Sequence, residues 1–401
     1  MKPGSWMSIF GIYLFGVCGA STVSKLIPLA GDIEGRFGLT GSDFGWLVAL
    51  VALPAAIFAI PSGIVVDKWG SKRVLLAAGA TGVIANCIYL FAQSLPLIYF
   101  ARLLEGLAIV HVYTAGPALL MATTDGDRRT RAMTLWSTYA PVGTAIGLGV
   151  GGLFAESTDW RQGFAGHAAL FVLATLLCLL QPTVEVAKQA ARSLSERVGE
   201  LFSAFGRPQL VALGVAFLMV ISMGVGANMT LPLYTARVHE LSAGDASAMV
   251  ASVTLTMVIG SALAGLFLPK LKRPQWMFLM VALGGLVAGA LCFVPDLSVQ
   301  ARYVAMICWF VISGAGMATI MAALPTAADP ARPGAAAALL NFTGAVAALL
   351  NPPLWLGVFE AGHWIPFIQL FALGWAVSLV AFWLIPWFAG RDRPSVVAKA
   401  D

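Results

Sequence analysis

Three charged side chains, Lys25, Arg102 and Glu105, stand inside long apolar runs. A charge at the centre of a membrane-crossing helix costs roughly 2.5–3.5 kcal/mol on insertion scales, so each is expected to face a partner or a polar cavity. Lys25 and Arg102 are candidate counter-charges for an anionic solute, and Glu105 is the candidate proton carrier. At a rise of about 1.5 Å per residue the three lie about 10, 9 and 5 Å from mid-membrane, in one layer. His111, further along the run that holds Glu105, adds an imidazole able to relay protons or touch solute. Two other readings stand beside these: a self-satisfied Lys25, Arg102 and Glu105 cluster that only joins helices, and a Lys25 that snorkels to the interface. Further along, Asn228, Tyr234, Trp309, Ser313 and Asn341 offer hydrogen bonds and aromatic faces suited to an organic solute.

The elements that must position these residues are membrane spans. Of 401 residues, 59% are hydrophobic and only 11% charged, with a mean hydropathy of +0.86, so lipid is the solvent. A span needs roughly 20 apolar residues. Twelve such runs are read at roughly 7–30, 44–66, 74–93, 95–121, 133–155, 163–181, 209–236, 246–269, 275–294, 300–324, 334–358 and 364–388. The expected fold is therefore all-α and integral to the membrane. The expected division is a six-helix bundle at 1–181, a linker at 182–208, a second six-helix bundle at 209–390 and a cytoplasmic tail at 391–401. The linker carries Leu194, Val198, Leu201, Phe202 and Phe205 at helical spacing after Ser193 and Glu196, which predicts an amphipathic surface helix. The first run follows only five residues and is too long for a signal-peptide core, so it is expected to persist as span one.

Composition also excludes classes. The net charge of +5 is spread between apolar runs and forms no basic face for nucleic acid. Cys18, Cys87, Cys178, Cys292 and Cys308 all lie within apolar runs without metal-ligand spacing, so neither a metal nor a cofactor is expected. HExxH, GxSxG and the ATP-binding GxxxxGK[ST] loop are absent, which argues against an enzyme and against direct use of ATP. Lys and Arg concentrate in alternate loops, including Lys68, Lys72, Arg73, Arg128, Arg129, Arg131, Lys270, Lys272 and Arg273. Only Arg36, Arg161, Arg237 and Arg302 fall on the other face, so both termini are expected in the cytoplasm.

Between spans two and three stands Gly63, Ile64, Val65, Val66, Asp67, Lys68, Trp69, Gly70, Ser71, Lys72, Arg73. Gly63 admits a close helix, Gly70 permits a tight turn, and Asp67 accepts bonds from helix N-termini or basic groups. This string resembles the loop signature of the major facilitator superfamily. Arg102 with Gly106 is similar to that family's RxxxG element, and Trp160 with Arg161 to its WR turn. Gly265, Pro269, Lys270, Lys272 and Arg273 read as a degraded second copy. The resemblance implies two six-helix halves in a parallel repeat, with Gly63, Asp67, Lys68, Gly70 and Arg73 as a conformational gate. Span five carries Gly143, Gly147 and Gly151 after Pro141. It is similar to the glycine-rich motif of the family's antiporters but lacks its GP pair, and close helix packing accounts for it equally well.

The expected function is a secondary transporter, proton-coupled, that moves a small anionic or amphiphilic organic solute by alternating access in a bacterial inner membrane. Its expected partners are that solute, protons and the bilayer, with the chain acting as a monomer. A drug or siderophore-type efflux antiporter is the alternative, and a non-transporting receptor or scaffold a more distant one.

Overall fold

The computed structural model describes residues 2–157, 159–183, 194–327 and 333–391, and among them every regular element is a helix. In chain order these are α1 (Trp6–Ser24), a 3-10 turn (Ile27–Leu29), α2 (Ala30–Phe37), α3 (Gly41–Ala49), α4 (Ala52–Trp69), α5 (Ser71–Phe91), α6 (Leu95–Thr123), α7 (Gly126–Trp136), α8 (Tyr139–Phe154) and α9 (Gln162–Leu179). There follow α10 (Leu194–Phe205), α11 (Pro208–His239), α12 (Ala243–Thr254), α13 (Thr256–Phe267), a second 3-10 turn (Leu268–Lys270), α14 (Pro274–Cys292), α15 (Val299–Ala327), α16 (Pro333–Glu360) and α17 (Ile365–Arg391). The amphipathic linker helix is α10, while Ser193, expected to open it, lies outside the described residues.

Among the described residues, 11 helical stretches are long and apolar enough to cross a membrane. The twelfth crossing is α8, only 16 residues long, because span five is broken where an unbroken run from 133 was expected. The hydroxyls of Ser137 and Thr138 turn back onto the carbonyls of Thr134 and Leu135, both at 2.7 Å, and Pro141 has no N–H to offer Ser137. Spans one, two and eight are broken as well. Pro28 and Pro54 remove the donors that Ser24 and Leu50 would need to continue α1 and α3. At Leu255 the flanking hydroxyls of Thr254 and Thr256 bond to Val250 and Val253 carbonyls instead. Large side chains such as Leu153, Phe91 and Met280, exposed by 79, 77 and 72%, cover the surface, as a lipid-facing exterior requires.

The helix contacts repeat with a six-span offset. α1 packs on α8 and α9 as α11 packs on α16 and α17; α5 packs on α6 and α9 as α14 packs on α15 and α17; and α4 packs on α6 as α13 packs on α15. The repeat extends to atoms: Gly106 lies against the carbonyl of Val51, and Gly314 against that of Met257, so the fourth span of each half meets the second at backbone distance. Two six-helix bundles related by a parallel repeat are the result.

The halves meet through α3 with α16 and α8 with α12, again a symmetric pair. At one end two clasps close this seam. Glu156 Oε1 accepts the first N–H of α12, from Ala243, at 2.9 Å, and Glu360 Oε2 accepts the first N–H of α3, from Gly41, at 3.0 Å. Each clasp puts a carboxylate of one half on the positive end of a helix of the other.

Candidate functional site

Lys25, Arg102 and Glu105 converge inside the first bundle. Lys25 caps the end of α1, while Arg102 and Glu105 share one face of α6 three residues apart. Glu105 Oε1 pairs with Lys25 Nζ, and Oε2 takes Arg102 at 2.8 Å and the Tyr89 hydroxyl of α5 at 2.8 Å. None of the three charged residues is more than 4% exposed. Their formal charges sum to +1, because one carboxylate serves two cations.

Arg102 has a second task. Its fork donates to the carbonyls of Leu47 (3.2 Å) and Val48 (2.8 Å), near the end of α3, and of Thr22 (3.0 Å) on α1. With Glu105 these four acceptors take four of the guanidinium's five N–H groups and bind spans one, two and four together, a geometry a lysine cannot copy. Lys25 donates to three acceptors: Glu105, Asn86 Oδ1 at 2.5 Å and His167 Nδ1 at 3.0 Å. His167 of α9 completes the network through Nε2, 2.7 Å from Ser21 Oγ and 3.3 Å from the Cys18 carbonyl.

Asn86, Tyr89 and His167 were not singled out from sequence. Each is a polar residue within an apolar run, which was the available signal, but their direction toward Lys25 depends on helix rotation. Span five supplies the wall behind Lys25. Added β-carbons at Gly143, Gly147 and Gly151 would strike the backbone of α1 at Val17, Ser21 and Lys25. These glycines let α8 lie directly on α1, and Ser24 Oγ donates from α1 to Thr144 O of α8 at 3.1 Å.

The other candidates are dispersed. His111 is half-buried, with Nδ1 on its own helix's Leu107 carbonyl at 2.7 Å, and does not join the network. In the second half the Tyr234 hydroxyl donates to Phe293 O, and its ring lies 5.1 Å from the Arg302 guanidinium. Trp309 is 1% exposed and packs edge-on against Phe371 and Trp375. Its indole nitrogen and Asn228 Oδ1 are buried without a hydrogen-bond partner among the described residues. Ser313 is buried on the same helix as Trp309, and the Asn341 side chain lies outside the described residues.

Arg302, read as a loop residue, is instead fully buried. It donates to the carbonyls of Cys292, Val294 and Pro295 and to His239, closing the end of α14.

Of the gate string, Gly63, Asp67 and Lys68 lie on α4, and Arg73 opens α5. Gly70, at φ 83°, makes the turn between them, a conformation that favours glycine. Beside it Lys72 Nζ holds the carbonyls of Leu179 (3.0 Å) and Gln181 (2.5 Å), fastening span three to the end of span six.

The family model described as Major Facilitator Superfamily matches residues 6–352. Among solved structures, an inward-facing, unoccupied bacterial homolog of the human lysosomal transporter Spinster superposes with a TM-score of 0.73 at 15% identity, covering 97% of this chain and 96% of that one. Its occupied form gives 0.70 at 14% identity over the same shares. The nucleoside transporter NupG gives 0.75 at 15% identity, covering 95% of this chain and 99% of that one. At such identities these likenesses carry the fold and not a substrate.

Proposed function

Because this chain belongs to the major facilitator superfamily, a family of membrane transporters, we propose that it is a proton-coupled secondary carrier of a small organic solute bearing an anionic or amphiphilic group. The observation that carries this reading is the position of Lys25. It is ion-paired with Glu105, and it sits at the joint where α1 gives way to the 3-10 turn. That turn packs on α11 and α12 of the opposite half. A change in the charge of the pair is therefore passed directly to a contact between the two bundles.

Glu105 is the fully buried acid among the described residues, and two cations compete for it. Protonating its carboxyl removes the attraction that holds Lys25 against α6 and frees an ammonium to meet an anionic group. With a proton bound the α1 joint can move, and with the proton gone it is drawn back. Arg102 stays in place throughout, held by backbone carbonyls. The Glu156 and Glu360 clasps would then open and close one end of the solute path. The excess of Lys and Arg in alternate loops supports placing both termini, and the Asp67 end, on the cytoplasmic side.

The test is to load vesicles containing the purified protein with a pH dye and add mono- and dicarboxylates, zwitterions and cationic drugs in turn. The reading expects an organic anion to move protons in the wild type, Glu105→Gln to abolish that movement while the anion still binds, and Lys25→Ala to weaken binding itself. Proton movement that persists unchanged in both variants would refute it.

A further inference from the structure

His167 has two partners for each of its ring nitrogens, and they suit different proton positions. Ser21 Oγ donates to the Cys18 carbonyl at 2.9 Å, so Ser21 is left to accept from Nε2–H; in that tautomer Nδ1 is bare and accepts from Lys25 Nζ at 3.0 Å. Nδ1 is equally 3.0 Å from Asn86 Oδ1, an acceptor that can serve only a protonated Nδ1. The site thus holds the imidazole in either tautomer without moving it. Beside it a small cleft between α1, α8 and α9 is lined by Ser21, Lys25, Gly147, Val150, Gly163 and His167, all from the first bundle. Its cavity volume is about 10 Å³, the lower bound for one water.

We propose that His167 is the proton port of the Lys25–Glu105 pair, passing protons between Lys25 and water admitted through the α1–α8–α9 cleft, on the flank of the first bundle rather than along the seam between the halves. This rests on the proton-coupled reading of that pair. In release, the Lys25 ammonium gives one proton to Nδ1, and the imidazolium gives its Nε2 proton to water in the cleft. The Glu105 carboxyl proton then passes to the Lys25 amine, which restores the ammonium beside a carboxylate, and the new Nδ1–H is held by Asn86. Uptake runs the same bonds backwards, so one release and one uptake restore the starting tautomer. The other titratable and charged groups facing the ring's surroundings are Cys18 on α1, Tyr89 on α5 and Arg102 and Glu105 on α6; among the described cleft residues α8 contributes only Ile146, Gly147, Val150 and Gly151, none of which titrates.

The test needs no solute. Proteoliposomes adsorbed on a solid-supported membrane are given a pH jump, and the transient charge movement is recorded for wild type, His167→Gln, Val150→Phe and Glu105→Gln. His167→Gln is expected to slow the relaxation at least tenfold while total charge is retained. Val150→Phe, which fills the cleft and leaves the polar network untouched, is expected to slow it similarly and stands in if His167→Gln fails to fold. A wild-type rate in either variant overturns the port. Charge movement undiminished in Glu105→Gln overturns the proton-coupled reading of the pair, whatever the His167 variants do.

Discussion

Replacing Glu105 by Gln should damage the protein less through the lost carboxylate than through what it leaves behind. Lys25 and Arg102, exposed by 4% and 0%, would remain as two buried cations with no counter-charge, and the formal charge of the site would rise from +1 to +2. Breaking a buried pair by removing one partner costs about 3–5 kcal/mol, chiefly because the survivor is stranded. Removing Lys25 as well, in Lys25→Met with Glu105→Gln, returns the site to a single cation. Arg102 keeps its three carbonyl acceptors there. The double variant should therefore be more stable than Glu105→Gln alone, with a favourable coupling on the order of 1–3 kcal/mol, within the range for contacting residues. The assay is thermal unfolding in detergent for the wild type, both single variants and the double. The reasoning is refuted if the double variant falls by the sum of the two singles, since Lys25 and Glu105 would then contribute independently.

Three further outcomes follow from the same geometry. Gly147→Leu should prevent α8 from seating on α1, because even a β-carbon would lie 2.6 Å from Ser21 O, whereas Gly149→Ala, which meets nothing within 4 Å, should be silent; size-exclusion profiles and melting curves separate the two. Arg102→Lys should destabilise by roughly 2–4 kcal/mol, read as a lowered melting point, since one ammonium replaces a fork bonded to three helices and a stranded carbonyl costs about 1–3 kcal/mol. Glu156→Ala with Glu360→Ala should loosen the clasped end: each lost carboxylate cap is worth about 1 kcal/mol, so with both removed the labelling of a cysteine placed at Ser247, buried behind the α8–α12 contact, should rise roughly thirtyfold.

Span number was readable because twenty-residue apolar runs follow directly from bilayer thickness. The layer of Lys25, Arg102 and Glu105 was readable because charge in such runs is rare. The breaks in spans one, two, five and eight were less legible. Pro28, Pro54 and Pro141 are visible in the sequence, but a proline in a spanning helix is tolerated as often as it interrupts, and at Leu255 the competition comes from Thr hydroxyls. Asn86 and His167 were passed over because one polar residue on a helix does not declare which neighbour it faces. His111 and His167 look alike in sequence, and only helix rotation separates the one bonded to its own backbone from the one bonded to Lys25. Arg302 read as a loop cation because it stands near a span boundary, yet the frayed end of α14 draws it inward.

The central claim is that a proton at the Lys25–Glu105 pair drives solute movement, and it is tested most directly by comparing two fluxes in one vesicle preparation. With an anion that moves protons in the wild type, uptake driven by a pH gradient and exchange of labelled for unlabelled anion are measured in wild type and Glu105→Gln. The account predicts that Glu105→Gln loses gradient-driven uptake and keeps exchange, since the solute site and the rocking of the halves remain. Gradient-driven uptake at the wild-type level in Glu105→Gln would contradict it.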